Sequence, residues 1–264
     1  MRKALPASEL KALLDEQVAR FNARSFIALD PVSVPHRYSQ RRDIEIAGLF
    51  AATIAWGNRA SILKSAERLM TAMDDAPGDF VVNHTTRDLT RFNQFVHRTF
   101  QSVDLRYFLK FLQSHYRQHG SLEPLFAVPE DAPHVHDGLV RFHDAFFSLP
   151  RAPQRTRKHV ATPMRGSACK RLNMFLRWMV RRDDKGVDFG IWQSIRPAQL
   201  ICPLDVHVAN VARELRLLRR KQNDWEAAVE LTNQLKLFSA EDPVQYDFAL
   251  FGLGVTGRQT ASDS

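Results

Sequence analysis

Cysteine is nearly missing from this chain: Cys169 and Cys202 are the only two in 264 residues. Two thiols make no disulfide framework and cannot supply a four-cysteine zinc or iron–sulfur site. Long apolar runs are missing as well. No segment approaches the roughly 20 residues that cross a bilayer, and the charged, amphipathic start MRKALPASELKALLDEQVARF lacks the apolar core of a signal peptide. A cytoplasmic protein with no membrane partner is expected. Strictly alternating strand patterns, internal repeats and low-complexity tracts are absent too. Acid is in short supply: 29 Asp and Glu stand against 37 Lys and Arg, for a net charge of +8 and a pI near 9.8. Such a surface draws acidic partners, although charge by itself does not choose between nucleic acid, membrane and mere solubility. With 44% hydrophobic residues the chain can bury a core as one large domain or two small ones.

What is present is helical periodicity. Ser8 to Asn22 carries Leu10, Leu13, Leu14, Val18 and Phe21 at helical spacing, and Asp43 to Met73 reads as a longer helix broken at Gly57. Further runs cover Asp104–His119, His136–Phe147, Ala168–Arg181, Val206–Leu218, Asp224–Leu237 and Pro243–Leu253. The expected class is all-α. Between Leu149 and Met164 lies LPRAPQRTRKHVATPM, a basic, proline-punctuated segment that reads as a loop. It divides the chain into an N-terminal helical region, 1–150, and a C-terminal region, 151–264.

The chemistry is concentrated in that second region. GSACKRLNMFLRWMV places Lys170 at the start of an apolar helix, and PLDVHVANVAREL places Asp205 just before the next. An amine can attack a sugar carbon while a neighbouring carboxylate stabilises the positive charge that develops. Asp205 also reads as a helix N-cap, accepting from backbone N–H groups near Val208; one carboxylate can serve both purposes. Asp247, set among Phe248, Leu250 and Phe251, is an acid that needs a partner.

GSACKRLNMFL resembles the hairpin and second helix of the helix-hairpin-helix DNA glycosylase superfamily, the group of endonuclease III and 8-oxoguanine DNA glycosylase, whose motif is Leu-Pro-Gly-x-Gly-x-Lys-x-Ala. Gly166 falls on the first hairpin glycine, Lys170 on the Schiff-base lysine of bifunctional members, and Asn173 on a helix position that is often polar. PLDVHVANVA is similar to the family's Pro-Val-Asp-x-His-Val-x-x-Val-Ala segment, so Asp205 falls on the catalytic aspartate and His207 on its usual companion. The run from Glu45, EIAGLFAATIAWGNRASILKSAERL, resembles the family's early helix, turn and helix, with Trp56 at the position that wedges into the duplex and Asn58 and Arg59 beside it. YDFALFGLG resembles the late helix that lines the base pocket, with Asp247 and Phe251 at the hydrogen-bonding and stacking positions. The whole chain also resembles a bacterial family of this length known only as a domain of unknown function.

The resemblance implies a two-lobed helix-hairpin-helix glycosylase, monomeric and without cofactor or resident metal, that flips a modified base out of duplex DNA. Lys170 is then the nucleophile and Asp205 its electrostatic partner. Trp56, Asn58, Asp247, Phe251 and His207 contact the extruded nucleotide, and Arg59, Arg165, Gly166, Ser167 and Arg171 contact DNA. A Schiff base on Lys170 would permit β-elimination and a strand nick; an oxidised purine is the first substrate expected. Three features depart from the family. Pro163, Met164 and Arg165 replace the usual Leu-Pro-Gly, Ala168 replaces the second glycine, and the lysine and aspartate stand 35 residues apart, a long spacing. The intervening RRDDKGVDFGIWQSIRPAQLI is expected to loop out without moving either helix. Other readings stay open: a monofunctional enzyme against modified bases of foreign DNA, such as phage DNA, and a non-catalytic DNA-binding protein of the same fold. A metal-dependent phosphohydrolase built on His134, His136, Asp137, His143 and Asp144, or on His115 and His119, is a further class.

Overall fold

The computed structural model describes residues 5–28 and 30–262, with 256–262 as backbone. Among the described residues there are twelve α-helices: α1 (Ala7–Phe21), α2 (Arg24–Ile27), α3 (Arg41–Thr53), α4 (Arg59–Ala72), α5 (Pro77–Asn83), α6 (Ser102–Tyr116), α7 (Glu123–Phe126), α8 (His136–Phe146), α9 (Lys170–Val180), α10 (Val206–Glu214), α11 (Trp225–Lys236) and α12 (Tyr246–Ser262). Among the described residues the only sheet is a short antiparallel hairpin of β1 (Val96–His97) and β2 (Phe100–Gln101). The all-α expectation therefore holds.

Helix starts follow from local chemistry. Asn58, Asp205 and Asp224 each accept a backbone N–H from the first turn of α4, α10 and α11, the usual N-cap arrangement. Proline opens α5, where a missing N–H costs nothing. The break expected at Gly57 falls between α3 and α4, and its φ of +97° is one that glycine adopts without a Cβ penalty. The helix read as Val206–Leu218 stops at Glu214 instead, because Arg216 turns left-handed at φ +61°. The segment 149–164 holds a 3₁₀ turn at Gln154–Lys158, and a second follows at Pro163–Arg165.

The chain folds into two compact units that interleave in sequence. The first takes Met1–Phe26, Val128–Val135 and Pro163–Ser264; the second takes Ile27–Ala127 and His136–Thr162. The loop at 149–164 suggests one cut by itself, but α1 packs on α12 and so sits with the C-terminal helices. Phe21 and Phe26 meet Phe251 edge-on at 6.3 and 5.4 Å, and Phe26 meets Phe248 at 5.4 Å. Phe248 is fully buried, which contributes about 1.5–3 kcal/mol, while the half-buried Phe21, Phe26 and Phe251 contribute less each.

In the second unit α3 is buried along almost its whole length, from Ile44 to Thr53. Glu45 lies inside it with no exposed surface and is matched by Tyr116 Oη at 2.7 Å, Leu122 N–H at 2.9 Å and Arg41 Nε at 3.0 Å. A buried carboxylate is tolerable when several donors meet it, and these donors tie α3 to α6 and α7. Phe108, Phe111, Phe126, Phe142 and Phe146 fill the core around it.

Candidate active site

Two helix starts in the first unit build the site. The chain reaches α9 through the 3₁₀ turn Pro163–Arg165, then Gly166 at φ +71°, and Cys169 in a left-handed conformation at φ 49°. A Cβ at Gly166 would meet nothing within 4 Å, so the backbone angle and not crowding asks for glycine. Backbone bonds close this turn: Gly166 N–H donates to Pro163 O at 2.8 Å and Trp225 N–H donates to Gly166 O at 3.0 Å. Ser167 Oγ accepts from Cys169 N–H at 3.1 Å, and the buried Asn173 donates Nδ2 to Ala168 O at 3.0 Å. What precedes the turn is one 3₁₀ turn, where a helix-hairpin-helix has a full helix. Arg165 and Gly166 are exposed, while Arg171 is drawn partly inward, and burial pushes its guanidinium down to about 10. Burial likewise pushes the Cys169 thiol up to about 12, so it stays protonated and inert.

Asp205 arrives from the rigid segment ahead of α10. Cys202 N–H donates to Thr232 Oγ1 at 3.0 Å on α11, and Cys202 and Leu204 are buried. Asp205 then divides its two oxygens. Oδ1 accepts from His207 N–H at 2.9 Å and Val208 N–H at 3.0 Å, capping α10, while Oδ2 faces Lys170 Nζ at 3.7 Å. That distance is an ion-pair contact and too long for a hydrogen bond. The side chains of Lys170 and Asp205 are 30% and 37% exposed, so the pair opens to solvent. The structure thus brings together the two residues whose positions 170 and 205 the sequence singled out.

Behind the pair lies a charged network that sequence reading did not assemble. Arg177 of α9, 4% exposed, donates to Asp247 Oδ2 and to Asp188 Oδ1, the latter at 3.3 Å. Arg181 meets Asp188 at 3.2 Å, Asp183 at 2.7 Å and Asp242 at 2.8 Å. Burial raises the Asp247 carboxyl to about 6, against the pull of Arg177 and Lys170 and with a push from Asp205. Burial also raises Asp188. The segment expected to loop out therefore packs back on α9: Asp188 is enclosed, Val187, Trp192 and Ile195 are buried, and Phe189 N–H and Trp192 N–H donate to Trp178 O and Met179 O at 2.7 and 2.9 Å. Its apolar residues and its one enclosed acid bring it in. The signal was available at Arg177, a cation between Leu176 and Trp178 inside an apolar helix.

The other predicted residues fall in separate places. Asp247 has Arg177 as its partner, and Phe251 belongs to the aromatic cluster with Phe21 and Phe26. His207 is exposed on the first turn of α10. Trp56, Asn58 and Arg59 lie in the second unit. Trp56 is half-buried, edge-on to His159 at 5.5 Å. Asn58 is exposed and spends its amide oxygen on Ser61 N–H at 3.2 Å. Arg59, the first residue of α4, is exposed. Among the histidines, His136 and His143 each contact the next-door aspartate, and His115 Nε2–H donates to Ser121 O at 2.8 Å. Among the described residues no group of three or more His, Cys, Asp or Glu could hold a metal ion, and no helix is long and apolar enough to cross a membrane.

Fold and site together define a helical protein that presents a half-exposed lysine–aspartate pair at two helix starts. The chain belongs to the family described as "Protein of unknown function (DUF2400)", whose model matches residues 30–256. No curated protein and no solved structure matches the chain.

Proposed function

We propose that this protein is a DNA glycosylase that removes a modified base by nucleophilic attack from Lys170. The observation that carries the reading is the 3.7 Å approach of Lys170 Nζ to Asp205 Oδ2 at the facing starts of α9 and α10. Held by an ion pair but by no hydrogen bond to that carboxylate, the ammonium is free to turn toward a sugar, and loss of one proton to water exposes the lone pair that attacks. As Nζ bonds to C1′ of an extruded nucleotide, the glycosidic bond breaks and the base leaves with its electron pair, picking up a proton. Positive charge builds on the sugar, and Asp205 Oδ2 lies beside it, held in place because Oδ1 is anchored by two backbone N–H groups. Loss of the amine proton leaves a neutral link, and ring opening gives the Schiff base from which β-elimination nicks the strand. The surplus of cations, +8 over the chain, suits a polyanionic substrate.

Borohydride trapping tests this directly. Purified protein is incubated with duplexes carrying an abasic site, oxidised purines, uracil or modified cytosines, and alkali-revealed cleavage is read in parallel. A covalent complex that disappears in Lys170→Gln is expected, and the substrate that gives it names the base. Alkali-dependent nicks without trapping would make the enzyme monofunctional. Trapping that survives Lys170→Gln removes the lysine from its role, and no cleavage on any duplex leaves a DNA-binding protein without chemistry.

A further inference from the structure

The second unit carries a cavity of about 630 Å³ beside β2 and the first turn of α6. Phe95, Val96, Gln101, Ser102, Val103 and Arg106 line it. No acid is among the lining residues. Arg106 makes no ion pair or hydrogen bond with the described residues, and its Nε, enclosed by protein, has no partner. That enclosed Nε is out of a ligand's reach, so the guanidinium offers its charge to the cavity through its terminal N–H groups, which no acid among the described residues answers.

Other arginines touch the rim. Arg68 lies over the Phe95 ring at 5.1 Å and donates to Val96 O at 3.4 Å, and it makes no ion pair among the described residues. Arg155 donates to Gln101 Oε1 at 2.5 Å and to Thr99 O at 2.9 Å. Its charge is answered by Asp104 at 3.2 Å, a carboxylate with no exposed surface, so Arg155 fixes Gln101 while Arg68 and Arg106 keep their charge for something else. Asn93 and Ser102 add polar groups to the wall, and two of its apolar side chains are open: Val96 is 52% exposed and Val103 41%.

We propose that this cavity is a phosphate-binding subsite for a nucleic-acid strand. Arg106 donates to a phosphodiester oxygen inside the cavity, Arg68 flanks the next stretch of backbone, and Val96 and Val103 lie against sugar faces. Phosphate contacts of this kind position a strand without reading its sequence. An acidic peptide would bring carboxylates but no apolar sugar faces for the two valines, and inorganic phosphate would leave them uncovered. The subsite does not depend on chemistry at Lys170.

The test uses the full chain and fluorescein-labelled oligonucleotides, one of thymidine only and one duplex, followed by anisotropy from 50 to 300 mM salt. Arg106→Gln should weaken binding roughly tenfold on every sequence and flatten the log–log salt slope by about 0.7 to 0.9, the share of one phosphate contact. Arg68→Gln should act in the same direction. Lys221→Gln, an exposed cation in the first unit, should leave affinity within about twofold as a control for net charge. The single strand and the duplex distinguish which form the subsite takes. Equal losses for Arg106→Gln and Lys221→Gln, or an unchanged slope in a folded Arg106→Gln protein, overturn the proposal. Poly-glutamate displacing the oligonucleotide at equal charge concentration overturns it as well. Repeating the series in the Lys170→Gln background, where the proposed chemistry cannot occur, and comparing each variant with that parent separates failure of this subsite from failure of the glycosylase reading.

Discussion

Two sets of opposite charges share α9, and they differ in nearly every physical respect. Lys170 and Asp205 stand 3.7 Å apart, each about a third exposed, with only one carboxylate oxygen committed elsewhere. Arg177 and Arg181 are 4% and 3% exposed and touch four carboxylates between them, those of Asp183, Asp188, Asp242 and Asp247. An exposed pair contributes little to stability and remains mobile. A buried network is costly to assemble and still costlier to break, because removing one partner strands the others without solvent. The difference separates work: the buried set fixes α9, the start of α12 and the segment 183–188, and the open pair is left adjustable on top of it. The contrast is sharpest at Asp247. Its carboxyl is raised to about 6 by burial, yet it also feels Lys170 and Asp205, so the two sets are electrostatically joined there.

The strongest way to break the comparison is Arg177→Met. Losing this guanidinium leaves Asp188 and Asp247 enclosed without their cation, and the expected loss is about 3–5 kcal/mol in urea unfolding. Adding Asp188→Asn and Asp247→Asn to Arg177→Met should recover much of it, since an uncharged cluster no longer demands a partner. A loss below about 1 kcal/mol would place Arg177 in the class of surface pairs. The second effect is a pH dependence at Asp247. With the folded value raised to about 6 from an ordinary 3.8, the native protein holds this proton more tightly than the unfolded chain does. The stabilisation from it is complete below about pH 4 and is lost as pH rises through about 6. Asp247→Asn keeps the uncharged form at all pH values. Its stability relative to the wild type should therefore rise between pH 4 and pH 7, and a gap that stays constant over that range would mean the carboxyl is not held protonated.

Much of this architecture is legible in the amino-acid sequence. The long helices begin and end within a few residues of their expected limits except that α10 stops at Glu214, short of Leu218, and α12 runs to Ser262, past Leu253; apolar spacing, Gly57 and the caps Asn58, Asp205 and Asp224 are local signals. The pairing of residues 170 and 205 was legible through two short motifs. What the sequence concealed is long-range. Asp247 was readable as an acid in need of a partner, but its partner Arg177 lies 70 residues earlier, and nothing in either neighbourhood names the other. The segment 181–201 reads as an insertion that loops out, since it fills the long spacing between Lys170 and Asp205; Asp188 and Trp192 are inside all the same, because Arg177 and Arg181 need the one and the core takes the other. The interleaved units are hidden for a similar reason: α1 is amphipathic by its own pattern, while its choice of α12 rests on Phe21 and Phe26 finding Phe248 and Phe251.

The smallest expected effects lie at the open pair, and there the two partners should part company. Asp205→Ala removes the cap of α10 together with the ion pair, and a lost cap costs about 1 kcal/mol. Lys170→Met removes only the partly exposed charge and keeps the apolar stem, so its cost should be under about 0.5 kcal/mol. Chemical denaturation of both variants in low salt checks the order. If Lys170→Met destabilises as much as Asp205→Ala, the lysine is part of the scaffold and the division between a fixed network and an adjustable pair fails. If it leaves stability untouched while abolishing borohydride trapping, the lysine is held in place for reactivity alone, and the carboxylate that faces it does the structural work for both.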